Sequence, residues 1–416
     1  VKALTASFIL PISRPPIQDG AVVVDDSKIV AVGRKEEILS KHTQYEVEDF
    51  GSALLMPGLV NAHTHLDLLF FESPQNADFL SRLLGGWNYR KQLTPSNRRS
   101  SLEEGIRQLL RSGTTCVGDT GRYVGVAPQA ANSPIRMVLF PELLTGGDAS
   151  IQEEYEAAFA QVEEILGTGS ARLSAGIAPY AAYTLSRHLL KIMTQQAKEL
   201  RIPMKIHAAE TFSEMQFFYE SAGEIAEKLF PELGWTEALP PPHRKTPVQY
   251  LASIGFLEGA PTLIGCNHLS DPDLETLSRT GTKVVHSPRA NAHLKLGHPP
   301  IKKILAAGIP LALGTDGTAS LHSLSLWDEM RYIQNHYKEN DIPSPTELLT
   351  IATLGGARAL GMDDRIGSLD AGKEADLLAI RIPRNEPAEN LPDWIVSHVT
   401  DREIAAVFVE GKRVKM

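Results

Sequence analysis

Leu54-Leu55-Met56-Pro57-Gly58-Leu59-Val60-Asn61-Ala62-His63-Thr64-His65 is an apolar run that ends in two histidines separated by one residue. The run reads as a strand. Side chains alternate across a strand, so His63 and His65 point the same way. Three later segments repeat the arrangement of an apolar stretch closing on a polar group. Met204–Ile206 ends in His207, Leu263–Gly265 closely precedes His268, and Leu311–Leu313 leads into Asp316. Each polar group stands at the carboxyl end of its own strand, so all would converge on one mouth if the strands were parallel and closed into a barrel. Imidazole and carboxylate donors suit Zn²⁺, and also Fe²⁺ or Mn²⁺, with a coordination position left open for water.

The segments between these strands carry the helical period. Leu102, Ile106, Leu109 and Leu110 share one face, with Ser101 and Glu104 at capping-box spacing and Gly113 as the stop. Trp87, in Leu83-Leu84-Gly85-Gly86-Trp87, is expected on a loop over the mouth. Ser186 caps a helix with Leu189, Leu190, Met193, Ala197 and Leu200 inward. Asp271 starts another with Leu274 and Leu277, and Ile301, Ile304 and Leu305 belong to a fourth. Helix, glycine and apolar strand in repetition predict a parallel sheet, and over roughly 300 residues a (β/α)8 TIM barrel. The ends differ in texture. Ala21–Val24 and Ile29–Val32 flank an Asp25–Asp26 turn, while Ala375–Ile380, Ala405–Val409 and Lys412–Val414 are short apolar runs near the other terminus. Both termini are expected to build one small β-sandwich, from residues 1–56 and 363–416, around a catalytic barrel at 57–362.

Bulk properties exclude several classes. The 416 residues are 43% hydrophobic and 22% charged, with a formal net charge of −9 and no Lys/Arg run, which argues against nucleic acid as a partner. Two cysteines, Cys116 and Cys266, are too few for a disulfide framework or a thiolate zinc site. No apolar run reaches the ~20 residues of a membrane span. No basic region followed by a long apolar core opens the chain, so a cytoplasmic location is expected. Gly367-Ser368-Leu369-Asp370-Ala371-Gly372-Lys373 comes close to a phosphate-binding loop, but Glu374 replaces the required Ser or Thr and no helical pattern follows. It reads as a turn. No dinucleotide-binding glycine loop and no Gly-x-Ser-x-Gly nucleophile elbow occur. His42, His188, His243, His336 and His398 carry no sign of a ligand role.

Pro57–His65, His207-Ala208-Ala209-Glu210-Thr211, Asn267-His268, Gly314-Thr315-Asp316-Gly317 and Gly367–Leu377 together, in this order, resemble the motifs of the amidohydrolase superfamily. The branch most resembled holds aminohydrolases of cytosine, guanine, adenosine-type nucleosides and S-adenosylhomocysteine, with triazine chlorohydrolases. The resemblance implies one divalent metal ion, zinc first and iron or manganese next, on His63, His65, His207 and Asp316. A bridging lysine at the fourth strand would signal two metals, and Leu173–Tyr180 contains none. It implies that Glu210 and His268 act as acid–base residues and that Asp316 also orients the attacking water. The metal would bring that water's pKa to about 7. The hydroxide would attack an amine-bearing ring carbon while Glu210 protonates the neighbouring ring nitrogen.

Substrate contacts are open on the residues alone. Trp87 could stack on a ring or fill the core. Arg122 and Arg289 could grip a substrate anion or form surface ion pairs, and His286 could wall a pocket or make a structural hydrogen bond. The resulting expectation is a deaminase of an amino-substituted N-heterocycle, a purine or adenosine-type nucleoside first, working on a small molecule, with a homo-oligomer as one open assembly. The competing expectations are the same site with another leaving group (a dechlorinase or cyclic amidase) and a non-catalytic binding protein on the same barrel.

Overall fold

The computed structural model describes residues 1–41, 46–74, 77–144, 151–235, 239–317, 323–383 and 387–414. Strands β1 (Lys2–Ile9), β2 (Ile17–Asp25), β3 (Lys28–Arg34), β4 (Glu46–Asp49) and β5 (Ala53–Pro57) precede the His-x-His segment. β2 and β3 form the expected hairpin, with Asp26 at φ +50° in its turn. β1 pairs with β2 antiparallel and with β4 and β5 parallel.

Next come β6 (Leu59–Thr64), β7 (Thr114–Gly121), β8 (Arg136–Leu143), β9 (Leu173–Ala175) and β10 (Ala178–Pro179), all joined in parallel, with β9 and β10 both on β8. A second parallel sheet holds β11 (Lys205–Ala208), β12 (Thr262–Gly265), β13 (Lys283–His286) and β14 (Leu311–Leu313) in that order. Isolated parallel bridges connect the two sheets on both flanks: Thr64 with Asp316 on one, Ile177 with Met204 and Ala181 with His207 on the other. The fold is α/β with parallel sheets, and its helices occupy the connections.

The helix starts follow capping chemistry. Ser186 accepts from the Leu189 N–H, as its position suggested. One start differs from expectation, and the start at Asp271 falls where expected. The helix containing Ser101 begins at Pro95, where Thr94 and Asn97 close a reciprocal capping box. Proline at the first helical position and threonine before it make the stronger start, and Ser101 ends up buried inside the helix. Ser270, one residue before Asp271, caps the helix Asp271–Thr280 with Asp273 as its reciprocal partner. Trp87 lies on a helix, Phe79–Gln92, rather than on a loop. Gly85 and Gly86 are helical there because the helix lies close over Phe71 and Leu68, where a Cβ on Gly85 would come within 3.0 Å of the Phe71 ring.

Strands β15 (Leu377–Arg381), β16 (Ile404–Val409) and β17 (Lys412–Val414) return to the first sheet, β15 lying antiparallel to β5 from Leu377↔Pro57 to Arg381↔Ala53. Residues from both ends of the chain thus share one sheet and one apolar cluster that includes Leu4, Val22, Leu55, Leu377 and Phe408. The P-loop-like segment is a closed turn. Lys373 donates to the Ser368 hydroxyl at 2.6 Å and to the Ile366 carbonyl at 3.2 Å, so its ammonium is already spent. Arg136, with none of its side chain exposed, grips Asp376 through two nitrogens (2.7 and 3.2 Å) and ties β8 to the terminal sheet. Among the described residues no helix is long and apolar enough to cross a membrane.

Gly355 and Gly356 end a π-turn pressed on the parallel strands. A Cβ would fall 2.2 Å from the Leu311 carbonyl at Gly355 and 2.4 Å from the Val60 carbonyl at Gly356. Backbone cannot yield as a side chain does. Gly356→Ala should therefore lower stability by about 1–3 kcal/mol, read as the urea midpoint. An unchanged midpoint would mean that this contact does not hold the strands.

Candidate metal centre

β6 is buried along its whole length and delivers His63 and then His65 to one side, their ring centroids 4.8 Å apart. β11 adds His207, 5.3 Å from His63 and stacked nearly parallel to His65 at 6.4 Å. One nitrogen of each of these three rings lies within 4.8 Å of the other two. β14 leads through Gly314 and Thr315 to Asp316, whose Oδ1 lies 3.5 Å from His63 Nε2 and 3.4 Å from His65 Nε2. Asp316 takes φ +55° to do this. The turn is held by Thr315 and Asp316 N–H groups, both donating to the His63 carbonyl at 2.9 and 3.1 Å. Gly314 is required at this crossing, because a Cβ would sit 2.7 Å from that same carbonyl.

The outer nitrogens of the rings are anchored, which turns the inner ones toward the centre. His65 Nδ1 is held between the Thr120 carbonyl at 2.7 Å and Arg90 Nη2 at 2.8 Å, which turns Nε2 toward the Asp316 carboxylate. His207 Nδ1 is likewise held 3.0 Å from the Glu210 carboxylate. His63 Nδ1 sits 3.4 Å from the Thr120 hydroxyl. Nε2 of His63 and Nε2 of His207 are buried without a hydrogen-bond partner. Burial holds the His63 and His65 imidazoles well below their usual pKa, with Lys205 and Arg90 adding to the effect at each in turn, so both are neutral at pH 7. Burial also disfavours the charged His207 ring, but Glu210 outweighs it and raises that pKa to about 9. Three buried imidazoles with converging inner nitrogens, those of His63 and His65 neutral, form with the Asp316 carboxylate a fitting donor set for a divalent cation.

A charged layer that the sequence reading missed lies beneath these ligands. Arg90, buried on the helix Phe79–Gln92, reaches Asp67 with Nε (2.8 Å) and Nη2 (3.1 Å) and pairs with Glu142 through Nη1. Asp119 accepts from the Leu66 N–H at 2.8 Å and from the Tyr123 hydroxyl at 3.0 Å. Burial, reinforced by Asp67, pushes the Asp119 carboxyl up to about 7. Asp67 follows the histidines of β6, Asp119 stands near the carboxyl end of β7 and Glu142 near that of β8, so the positional signal used for the ligands applied to them too. Arg90 gave no such signal, since it stands among polar helix residues.

A cavity opens over the cluster, with His65, His207, Glu210 and Asp316 in its lining and Trp87, Phe71, Leu83 and Leu144 among its apolar walls. Trp87 is buried and serves this wall. The two arginines do not line it. Arg122 is paired with Glu154 at 2.7 Å, and Arg289 lies 3.4 Å from Asp328 and 3.6 Å from Glu329. His286 is fully buried, hydrogen-bonded to the Tyr337 hydroxyl, and makes no part of the wall. These three keep the structural alternatives. Arg82 and His293, in contact with each other, line the cavity and were not singled out. His268 stands apart. It is half-buried, 6.3 Å from the Phe212 ring, in the adjoining cavity. The reason is local: Cys266 turns at φ +53°, and the Cys266 and His268 N–H groups bond back to the Ala208 and Ala209 carbonyls. His42 lies outside the described residues, and His188, His243, His336 and His398 take no part in the cluster.

The family model described as "Amidohydrolase family" matches residues 54–414. The chain belongs to the amidohydrolase family. This amidohydrolase is 30% identical over 412 residues, 96% of its chain and 88% of the relative, to a 5-methylthioadenosine/S-adenosylhomocysteine deaminase of Nitratidesulfovibrio vulgaris (strain Miyazaki F). A relative of the same name from Thermodesulfovibrio yellowstonii is 29% identical and covers 98% of this chain and 91% of its own. Among solved structures, a zinc-bound adenosine deaminase from Xanthomonas campestris superposes with a TM-score of 0.80 at 25% identity, covering 99% of this chain and 92% of that one. Helicobacter pylori aminofutalosine deaminase in complex with methylthio-coformycin shares the fold, with a TM-score of 0.87 at 22% identity over the whole of both chains.

Replacing a ligand should empty the centre. His207→Ala should weaken zinc binding by more than the about 10–100-fold typical of losing an outer hydrogen-bond partner, measured by competition with a chelator. Undiminished zinc affinity would take His207 out of the ligand set. Arg90→Leu strips two buried carboxylates of their partner and should cost about 3–5 kcal/mol of stability, seen as a drop in the denaturation midpoint. A neutral outcome would mean that Asp67 and Glu142 find other partners.

Proposed function

We propose that this amidohydrolase is a zinc-dependent aminohydrolase that converts an adenosine-type substrate to its hydroxy (oxo) form with release of ammonia. Glu210 carries the reading. Ala209 turns the chain at φ +50°, so Glu210, only three residues after His207, faces the same cavity as Asp316. A proton-donating carboxyl beside the cluster matches deamination, because an amine departs only once protonated, whereas chloride needs no proton. The names of the relatives, 5-methylthioadenosine/S-adenosylhomocysteine deaminase, support the substrate class.

We assign one cation to His63, His65, His207 and Asp316; when bound, it supplies the Lewis acidity that makes water nucleophilic at neutral pH. Asp316 orients the attacking water and accepts its proton as the C–O bond forms. Glu210 gives a proton to the ring nitrogen beside the amine-bearing carbon, then relays one to the amine as the C–N bond breaks. His268 assists only after turning its ring out of the adjoining cavity; no hydrogen bond holds the ring where it lies. Trp87, Phe71 and Leu83 shield a planar heterocycle from water. For the frame, we read the two parallel sheets and their bridges, with β9 and β10 as two pieces of one strand beside β8, as one closed eight-stranded barrel over 57–362. We read the terminal sheet, from 1–56 and 363–416, as a small sandwich curved on itself.

Ammonia release by zinc-loaded protein across 5′-methylthioadenosine, S-adenosylhomocysteine, adenosine, aminofutalosine, guanine, cytosine and melamine tests the reading. Turnover should concentrate in the first four. Silence with zinc bound, or turnover of chlorinated triazines or cyclic amides instead, would contradict it. Glu210→Gln should keep the zinc and lower kcat by about 10²–10⁴-fold; near-normal turnover would place the proton on another group.

A further inference from the structure

A second cavity, of about 520 Å³, lies on the flank of the protein, walled by Tyr183, Phe217, Phe218, Phe230, Trp235 and Tyr250. It is separate from the catalytic cavity. Tyr180 lines the one and Tyr183 the other, with ring centroids 6.4 Å apart. The wall is a continuous set of ring contacts. Phe217 meets Tyr183 at 6.3 Å and Phe230 at 5.1 Å, Phe230 meets Trp235 at 5.2 Å, and Phe218 meets Tyr250 at 4.9 Å. The Phe217–Tyr183 and Phe230–Trp235 pairs pack edge-on, which leaves ring faces for a further flat group.

The charge at this cavity has one sign. Arg187 and Lys245 both line it, and among the described residues no carboxylate does. Among the described residues neither cation has an ion pair or a side-chain hydrogen bond, although the chain as a whole carries a net charge of −9. Beside the catalytic cavity, by contrast, Arg90 is spent on Asp67 and Glu142. We propose that the flank cavity is a second ligand site that binds a planar aromatic anion, its ring against the aromatic wall and its anionic group between Arg187 and Lys245. Arg187 precedes the buried stretch of the helix Arg187–Leu200, and Lys245 stands next to Thr246, the N-cap of Pro247–Ser253, so both cations are mounted on capped helix starts. A volume in the few-hundred Å³ range suits a bicyclic or tricyclic molecule.

The probe is 1-naphthalenesulfonate, with neutral 1-naphthalenemethanol as its partner, titrated calorimetrically into the zinc-loaded full chain. One equivalent of the sulfonate should bind. The double variant Arg187→Gln/Lys245→Gln should weaken it at least about tenfold while changing the neutral probe by less than about twofold. Ser253→Tyr, at the exposed rim, should block both probes. Trp87→Ala, in the catalytic cavity, should change neither. Absence of binding, equal affinity in the double variant, or loss of binding in Trp87→Ala alone would overturn the proposal. So would a dimer in sedimentation that Ser253→Tyr splits, which would give the face to a second copy of the chain.

Discussion

Two hydrogen bonds onto the His63 carbonyl, from the Thr315 and Asp316 N–H groups, lock the ends of β6 and β14 together. Buried backbone groups must find partners, and here the partnering is done across the two strands that carry most of the ligands. The Asn61 amide adds a bond to the Thr315 hydroxyl at 2.8 Å, and the Thr64 hydroxyl one to the Asp316 carbonyl at 3.1 Å. The His-x-His alternation of β6 then meets the left-handed turn at Asp316, and the carboxylate reaches both Nε2 atoms. Glycine at 314 is the condition for this approach, and the positive φ at Asp316 is the local strain that the seam sustains.

Around that seam the electrostatics are arranged so that the His63 and His65 imidazoles stay neutral. Burial alone disfavours their charged forms, and the Arg90 guanidinium adds repulsion at His65. Arg90 is itself tolerable in the interior because Asp67 and Glu142 neutralise it at hydrogen-bond distance. The Thr120 carbonyl and the Arg90 guanidinium hold the outer nitrogen of His65, and Glu210 holds that of His207. A residue that moves protons in the proposed reaction therefore also aims a ligand, which couples acid–base work to metal binding.

The ligand set was legible because it rests on short-range rules. Period-two alternation at His63 and His65, and apolar runs closing on His207 and Asp316, need only one strand each to be read. The strand hairpin around Asp26 and the turn at Ser368–Lys373 were readable for the same reason. What failed depended on other parts of the chain. Ser101 has capping spacing, yet Thr94-Pro95 offers the better start seven residues earlier. The Gly85-Gly86 pair resembles a loop but marks close packing over Phe71. Arg122 and Arg289 look like anion grips until Glu154, Asp328 and Glu329 are found beside them. His268 follows a strand like the ligands do, but the bend at Cys266 carries it to the neighbouring cavity. Arg90 could not be found at all, since nothing near it in sequence announces two buried carboxylates.

The central claim is a single cation on His63, His65, His207 and Asp316. Anomalous diffraction at the zinc edge from crystals of the zinc-loaded protein tests it most directly. The account predicts one peak per chain, at about 2.0–2.1 Å from the three histidine nitrogens and about 2.0–2.2 Å from an Asp316 oxygen. A peak elsewhere, or a second peak of equal height beside the first, would contradict it.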